Sequence, residues 1–594
     1  MEMTKRTMKL LGADISEYVI VSAPESLPSE KTGAKELVKY IELTTGVKLD
    51  IVDGSVKAER EIIVGKSDRE TGKLAFDRTP LEEDGYVIRT DGTKLLIAGG
   101  SRRGGMYGAY EFIERYMGWR FFTNDLEVCK APEAIEIGEL SESYTPVFEY
   151  RELDWKCARP KEWAVKAHIN GNYRDFGEEY GGELRWGGAI HSMGHYFNDS
   201  SDRQPCLTDP ENIKIVIENI KKELEERPWI ELFEISQNDN QNDCKCERCR
   251  KINEKEGSRA GTLIYFMNQL ADAFKESHPK LKFQTFAYQY TRKPPKTKCR
   301  DNIVIKLCPM EMCPNHAFND DSCQQNADFK RDLEGWNEKA SKIYVWDYSV
   351  NYSWFHCPFP NLDIMPKNMR WFAENNVKGY YPEANYISNH CEFAELRSYL
   401  HAKLMWNPYM PEEEYYAHMH EFMEAYYGPG WKNILNWINF INEAAKKNHC
   451  DLFSDPFEVI KFEDYQARYE DCKKWWEDAE NMAKETGDKE LVDHVHRSSI
   501  QWRFVKLCLE YEDRFVRGDR DTQLWYVVEN QNFYNDTVRY DSCWKEGYAW
   551  PPKLNFRRPP IEWAHHHFYG TGVEFDWIFT EAADRRLITR KWEL

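Results

Sequence analysis

Between residues 146 and 392 the chain alternates short apolar runs with helical stretches. The runs are FEYRELDW, a run near HINGNYRDF, QPCLT, WIELFEIS, LKFQTFAYQY, NIVIKLCP, KIYVWDYS and VKGYYPEAN. Between them lie NIKIVIENIKKELEE, GTLIYFMNQLADAFKES, FKRDLEGWNEKAS and IMPKNMRWFAENN. Runs rich in β-branched and aromatic residues read as strands, and apolar residues at three- and four-residue spacing read as helices. About eight strands alternating with helices over about 250 residues is the pattern of a (β/α)8 TIM-type barrel.

The flanks follow different rhythms. EYVIVSA, KLDIV, EIIVG, GYVIRTDG and KLLIAGG read as short strands, and SEKTGAKELVKYIELTTG and GGMYGAYEFIERYMG read as helices. That order predicts a small α/β domain with its helices on one face of a sheet. After residue 393, five long stretches carry apolar stripes at helical spacing, and the last 75 residues read as irregular and aromatic-rich. The expected division is therefore 1–142 for an N-terminal α/β domain, 143–392 for the barrel and 393–594 for a mainly helical region.

Charge narrows the partners. The formal net charge is −20, with no long basic block, so nucleic acid and anionic membrane surfaces are not expected partners. No apolar run is long enough to span a bilayer. The N-terminal stretch MEMTKRTMKLLGADISEYVIV has no continuous apolar core, because Asp14 and Glu17 interrupt it. The expectation is a cytoplasmic chain, or a secreted one already trimmed of its leader. The 16 cysteines, scattered over 594 residues, fit reduced thiols better than a disulfide scaffold.

In a barrel of this kind, reactive groups sit just past the C-terminal ends of the strands. WIELFEIS leads into Gln237, Asn238, Asp239 and Asn240. KFQTFAYQY ends in Tyr288 and Tyr290, NIVIKLCP leads to Glu311, KIYVWDYS supplies Trp346 and Asp347, and KGYYPEAN supplies Glu383. Any one of these carboxylates alone reads as a turn or helix-cap residue. Four such ends in one barrel read as a site. Two carboxyl groups beside an aromatic platform supply what glycosidic cleavage needs: an acid for the leaving oxygen and a group to meet the positive anomeric carbon.

Cys244-x-Cys246-x-x-Cys249 opens the loop after Asp239. A structural zinc wants four ligands. The remaining candidates, His191, His195, Cys308, Cys313, His316 and Cys323, are remote in sequence, so the expectation is reduced thiols packed under the rim, with no metal and no cofactor. His191 and His195 are four apart, but Gly187, Gly188 and Gly194 make their stretch a loop, which suits sugar-hydroxyl contacts or packing.

RRGGMYGAYEFIERYMGWRFFTNDLEV resembles the end of the N-terminal domain that precedes the barrel in α-glucuronidases and β-hexosaminidases. EISQNDNQNDCKCERCR, FAYQYTRKPP, YVWDYSVNY with CPFPNL, and LRSYLHAKLMWNP resemble successive signatures of the domain of unknown function 4838. Part of that group is classed as glycoside hydrolase family 163, endo-β-N-acetylglucosaminidases acting on complex N-glycans. The resemblance, over about residues 80 to 430, implies a retaining mechanism in which the sugar's own 2-acetamido oxygen attacks the anomeric carbon. It implies Asp239 as the first catalytic candidate and Glu383 as the second. Asn238 stands where related enzymes carry the other acid of an adjacent pair. Tyr288, Tyr290, Trp346, Asp347 and His191 would line the sugar subsite. Two alternatives stay open: an inverting α-glucuronidase-like hydrolase, with carboxylates about 6.5–9.5 Å apart and a cation for the uronate from Arg151, Arg159, Arg174 or Arg292, and a non-catalytic glycan-binding protein.

Overall fold

The computed structural model describes residues 4–546 except 200, 202 and 544, together with 561, 564, 565, 569 and 575–588. Near the N-terminus a six-stranded sheet runs in the order Ser141–Tyr144, Tyr86–Asp91, Lys94–Gly99, Glu61–Val64, Val19–Val21, Ile51–Val52. Strand alternation sorts its two faces. Ile20, Ile62, Val64, Ile88, Leu95 and Ile97 pack under the helices Pro28–Thr45 and Gly104–Arg115. Val21, Ile63, Val87, Leu96 and Ala98 form a second, smaller core with Leu74 and Leu81.

The middle of the chain forms a curled sheet of seven strands: β1 (Tyr150–Arg151), β2 (Trp186–Ala189), β3 (Leu232–Ile235), β4 (Lys282–Ala287), β5 (Ile303–Leu307), β6 (Lys342–Tyr348) and β7 (Val377–Glu383). The spatial order is β1-β7-β6-β5-β4-β3-β2, and every neighbouring pair is parallel. The expected closed ring of eight is thus seven strands among the described residues, and β1 and β2 share no ladder. HINGNYRDF forms no strand. Its Asn170 still borders β1, donating its N–H to the Arg151 carbonyl at 3.1 Å and accepting the Arg151 N–H on Oδ1 at 2.9 Å. QPCLT is a loop, as Pro205 lacks the N–H a ladder needs. Sequence reading passes over β2 because it is half glycine. The close approach explains why: a Cβ on Gly188, whose φ is 69°, would stand 1.9 Å from the Glu234 carbonyl oxygen.

The interior of the sheet holds a charge. Lys306 on β5 is 2% exposed and pairs through Nζ with Glu234 Oε2 on β3 at 3.2 Å. Gln284 on β4 donates to the same oxygen at 2.6 Å. The ammonium lies 5.2–5.9 Å from the ring centroids of Tyr150, Trp186, Phe286 and Trp346. Those rings come from β1, β2, β4 and β6. The Tyr150 and Trp186 rings, 4.9 Å apart, close the gap between the two sheet edges.

Beyond β7 the chain is helical, as expected, beginning with Ala394–Trp406, Glu412–Tyr427 and Trp431–Ala445. The irregular ending expected after residue 519 is instead, in part, a helix over Arg520–Arg539, capped by Asp519 accepting from Thr522 N–H at 2.9 Å. Its many polar residues blur the apolar stripe. No helix among the described residues is long and apolar enough to cross a membrane.

Replacing Lys306 with Met strands Glu234, 3% exposed, without its cation. Loss of one partner of a buried pair costs about 3–5 kcal/mol. The denaturation midpoint followed by tryptophan fluorescence should fall accordingly, and K306M/E234Q should recover part of the loss. An unchanged midpoint in K306M would show that the pair does not hold the sheet.

Candidate functional site

At the C-terminal ends of the strands the sheet opens into a cleft of about 460 Å³. All seven strands, or the turns that follow them, contribute to its wall. Trp346 and Tyr348 on β6, Phe286 on β4 with Tyr288 just past it, and Tyr381 on β7 make it aromatic. The same alternation that puts Lys306 inside puts these rings above it.

Four carboxyl groups face the cleft: Asp154 just past β1, Asp239 in the loop after β3, Glu383 at the end of β7, and Glu546 from the C-terminal region. Each is held by a ring donor. Trp346 Nε1 donates to Glu383 Oε2 at 2.7 Å. The hydroxyl of Tyr288 donates to Asp239 at 3.1 Å, that of Tyr381 to Asp154 at 2.7 Å, and that of Tyr386 to Glu546 at 3.1 Å. Burial pushes the Glu383 carboxyl up to about 8. The Trp346 N–H offsets part of that, and the negative charges of Glu546, Asp154 and Asp239 add to it. Burial likewise raises Asp154 to about 6 against the pull of Tyr381 and Arg159. Burial raises Glu546 as well. At neutral pH Glu383 therefore keeps its proton in a cleft that the exposed side chain of Asp239 also lines.

The structure brings together Asp239, Glu383, Tyr288, Trp346 and His191 from the sequence candidates. His191 adopts a φ of 50°, and its Nδ1 lies 2.7 Å from the Gln237 carbonyl oxygen, which fixes the ring at the cleft wall. Asn238 does not face the cleft. Its Oδ1 accepts from Gly194 N–H at 3.2 Å and its Nδ2 donates to the Arg203 carbonyl at 2.9 Å, so it braces the loop that carries Asp239. Asp347 points to the opposite side of β6 from Trp346 and Tyr348, where it accepts from the Tyr380 hydroxyl at 2.5 Å; burial there raises it to about 6. Tyr290 is carried away by the turn Gln289–Thr291 and stacks under Arg259 at 5.2 Å. Glu311 pairs with Arg292 at 2.5 Å, outside the cleft. Of the four arginines considered for a uronate, Arg151 binds Asp84, Arg174 binds Glu152 and Arg292 also binds Asp332. Arg159 alone of these lines the cleft, 3.4 Å from Asp154.

Sequence reading missed Asp154, although the strand-end rule applies to FEYRELDW as it stands. It also missed Leu452, Phe453 and Glu546, which reach the cleft from the C-terminal region. Backbone bonds from Tyr352 N–H to the Leu452 carbonyl at 2.9 Å and from Glu546 N–H to the Tyr352 carbonyl at 3.0 Å seat them there. No local pattern around those residues signals this.

Groups with metal-ligand chemistry lie outside the cleft. The thiols of Cys244, Cys246 and Cys249 gather around Cys206, which was not among the expected fourth ligands. Cys313, His316, Cys323 and His449 form a second such group. Glu111, Glu114 and His168 form a third, in which Lys403 already neutralises Glu114 at 2.6 Å.

Residues 6–112 match the N-terminal domain of glycosyl hydrolase family 67. A curated relative, probable α-glucuronidase A of Aspergillus terreus, is 30% identical over 101 residues, which is 16% of this chain and 12% of that protein. The chain thus spans about an eighth of the relative it matches. Among solved structures, a family GH115 4-O-methyl-α-glucuronidase with specificity for decorated arabinogalactans superposes with a TM-score of 0.58 at 13% identity, over 94% of this chain and 78% of that one. A GH138 enzyme targeting pectin rhamnogalacturonan II gives a TM-score of 0.44 at 11% identity, over 96% and 99%. The GH115 likeness shows a shared fold. Residues 121–436 match the domain of unknown function DUF4838. With more than half of its length in that match, taking in the whole seven-stranded sheet, the chain belongs to the DUF4838 family.

Proposed function

We propose that this protein is a glycoside hydrolase whose general acid is Glu383. The observation that carries the reading is a carboxyl raised to about 8, held by Trp346 in an aromatic cleft that also presents Asp239. Cleavage needs a proton for the departing oxygen, and an acid with its pKa near the working pH supplies it best. Aromatic faces suit the apolar faces of sugar rings. The family-67-type N-terminal domain supports the same reaction class.

For the substrate, we favour a sugar bearing a 2-acetamido group. Four carboxyls and one arginine make the cleft a poor host for a uronate. The Tyr288–Asp239 pair is chemically suited to an acetamide: with the substrate bound, the Asp239 carboxyl would accept its N–H, and the Tyr288 hydroxyl, turned from Asp239, would donate to its carbonyl oxygen. In this reading Glu383 gives its proton to the glycosidic oxygen as the C1–O bond breaks. The acetamide oxygen then bonds to C1 and forms an oxazolinium ion. The Glu383 carboxylate next takes a proton from the water that opens that ring, which restores the acid. In this reading Glu383, the second of the two sequence candidates, is the acid, and Asp239, the first, is the orienting group. Arg159, together with the α-glucuronidase named by the curated relative, supports a second reading as an uronic-acid-releasing enzyme.

Aryl and natural substrates separate these readings. N-acetylglucosaminides should be cleaved and uronides should not, and a thiazoline analogue of the oxazolinium ion should inhibit. Release of uronic acid with no effect of the thiazoline would establish the second reading. Glu383→Gln should lower turnover of natural glycans by about 10²–10⁴-fold, with a smaller loss on activated aryl glycosides. Equal losses on both would remove Glu383 from the role of acid. In the wild type, kcat/KM should fall as pH rises through about 8.

The same shift has a stability signature. The folded value of about 8 lies above the ordinary glutamate value of 4.5, so the stability linked to protonated Glu383 is fully present below 4.5 and is lost as pH rises through about 8. Glu383→Gln cannot ionise and keeps it. Its melting temperature should match that of the wild type near pH 4 and exceed it increasingly toward about pH 9. A constant difference across that range would show that Glu383 is not raised.

A further inference from the structure

We propose that Cys206, Cys244, Cys246 and Cys249 bind a structural zinc ion beside the cleft, and that Cys313, His316, Cys323 and His449 bind a second. In the first group the four sulfurs lie within 4.8 Å of one another. The Cys206 sulfur is 3.7 Å from those of both Cys246 and Cys249. Four sulfurs held about 2.3 Å from a tetrahedral zinc stand about 3.8 Å apart. A disulfide would bring a pair to about 2.0 Å. Sulfurs at tetrahedral-edge spacing, donated by a Cys-x-Cys-x-x-Cys loop and one distant residue, form a closed four-ligand set. No ligand position is left for a substrate, so the role is structural. The backbone N–H of Cys249 points to the Cys246 sulfur at 3.5 Å, a supporting contact of the kind that orients metal-bound thiolates.

The position gives this site a purpose. Gln204, two residues from Cys206, donates from Nε2 to the carbonyls of Asn238 at 2.6 Å and Asn240 at 2.9 Å. The loop carrying Asp239 is thus gripped at Gln204 and tied again at Cys244. A metal joining Cys206 to the Cys244–Cys249 loop would lock both grips.

The second group rests on its own geometry. The Cys323 sulfur lies 3.5 Å from His449 Nδ1, and the Cys313 sulfur lies 3.2 Å from His316 Nδ1. The corresponding sulfur-to-nitrogen edge of a tetrahedral zinc site is about 3.6 Å. The other ring nitrogen of His316 is 3.2 Å from the Lys446 carbonyl oxygen, the partner that fixes the tautomer of a metal-binding histidine. This site would pin the loop after β5, which sends Met310 into the cleft, to the segment that sends Leu452 and Phe453 there.

The test is elemental analysis of the full chain, grown with added zinc, purified with reductant and passed over a chelating resin. About two zinc ions per chain are expected. Cys246→Ser and His449→Ala should each lower this to about one, and the double variant to near none. Because a ligand variant can misfold, the unsubstituted protein grown with cobalt gives a second readout. It should show thiolate-to-cobalt charge transfer and the visible bands of tetrahedral cobalt. One zinc lost only in Cys246→Ser would support the first site and overturn the second, and one lost only in His449→Ala would do the reverse. Iron in place of zinc, or a metal-free chain whose 16 thiols all react as free, would overturn both.

Discussion

The ammonium of Lys306 is the point on which the curled sheet turns. A lone cation in an apolar interior is strongly disfavoured, so the chain surrounds it with Glu234 and four aromatic faces. Satisfying it needs residues from β1 to β6, and so it fixes the curl of a sheet whose edges share no hydrogen bonds. Phe286 and Trp346 belong both to this cage and to the cleft above it. Trp346 then carries the constraint upward by donating to Glu383. The position of the Glu383 carboxyl thus follows from the need to hold a charge one layer below.

The cleft collects carboxyl groups that would repel one another if all were ionised. Burial and mutual repulsion act in the same direction, and the proton stays on Glu383, the group raised furthest toward neutrality. Each carboxyl also has a ring donor, so none depends on a lysine or arginine that would pull it back down. Arg159 beside Asp154 is the partial exception, and Asp154 is raised less. A fold that placed a buried arginine here would gain an ion pair and lose the raised carboxyl. Arg151 and Arg174 are instead taken up by Asp84 and Glu152.

Much of this was legible in the sequence, and the failures have physical causes. β3 to β7 announce themselves as continuous β-branched and aromatic runs because parallel strands are covered on both faces. β2 did not, since its glycines answer to the close approach of Glu234 rather than to strand propensity. The strand-end rule found Asp239, Tyr288, Trp346 and Glu383. It overreached at Asp347, where it ignored that neighbours on a strand point to opposite sides. Tyr290 fell to a turn that begins directly after the strand. Glu546 and Cys206 were beyond reach for a common reason: each meets its partners through tertiary contacts spanning long stretches of chain, and no local spacing encodes them.

That common reason also separates the two kinds of residue around the cleft. Groups that touch the cleft from strand ends inherit their positions from the sheet, and the Lys306 cage sets them. Groups on the loops after β3 and β5, and on the C-terminal region, have no such template. A loop that must hold Asp239 in place pays an ordering entropy of about 1–2 kcal/mol for each residue fixed. Hydrogen bonds through Gln204 and Asn238 offset part of that. A few ligands on a metal constrain the same segments far more strongly than hydrogen bonds do. The two four-ligand groups proposed above, one on the loop after β3 and one on the loop after β5, would keep strand-borne and loop-borne groups of the cleft in register.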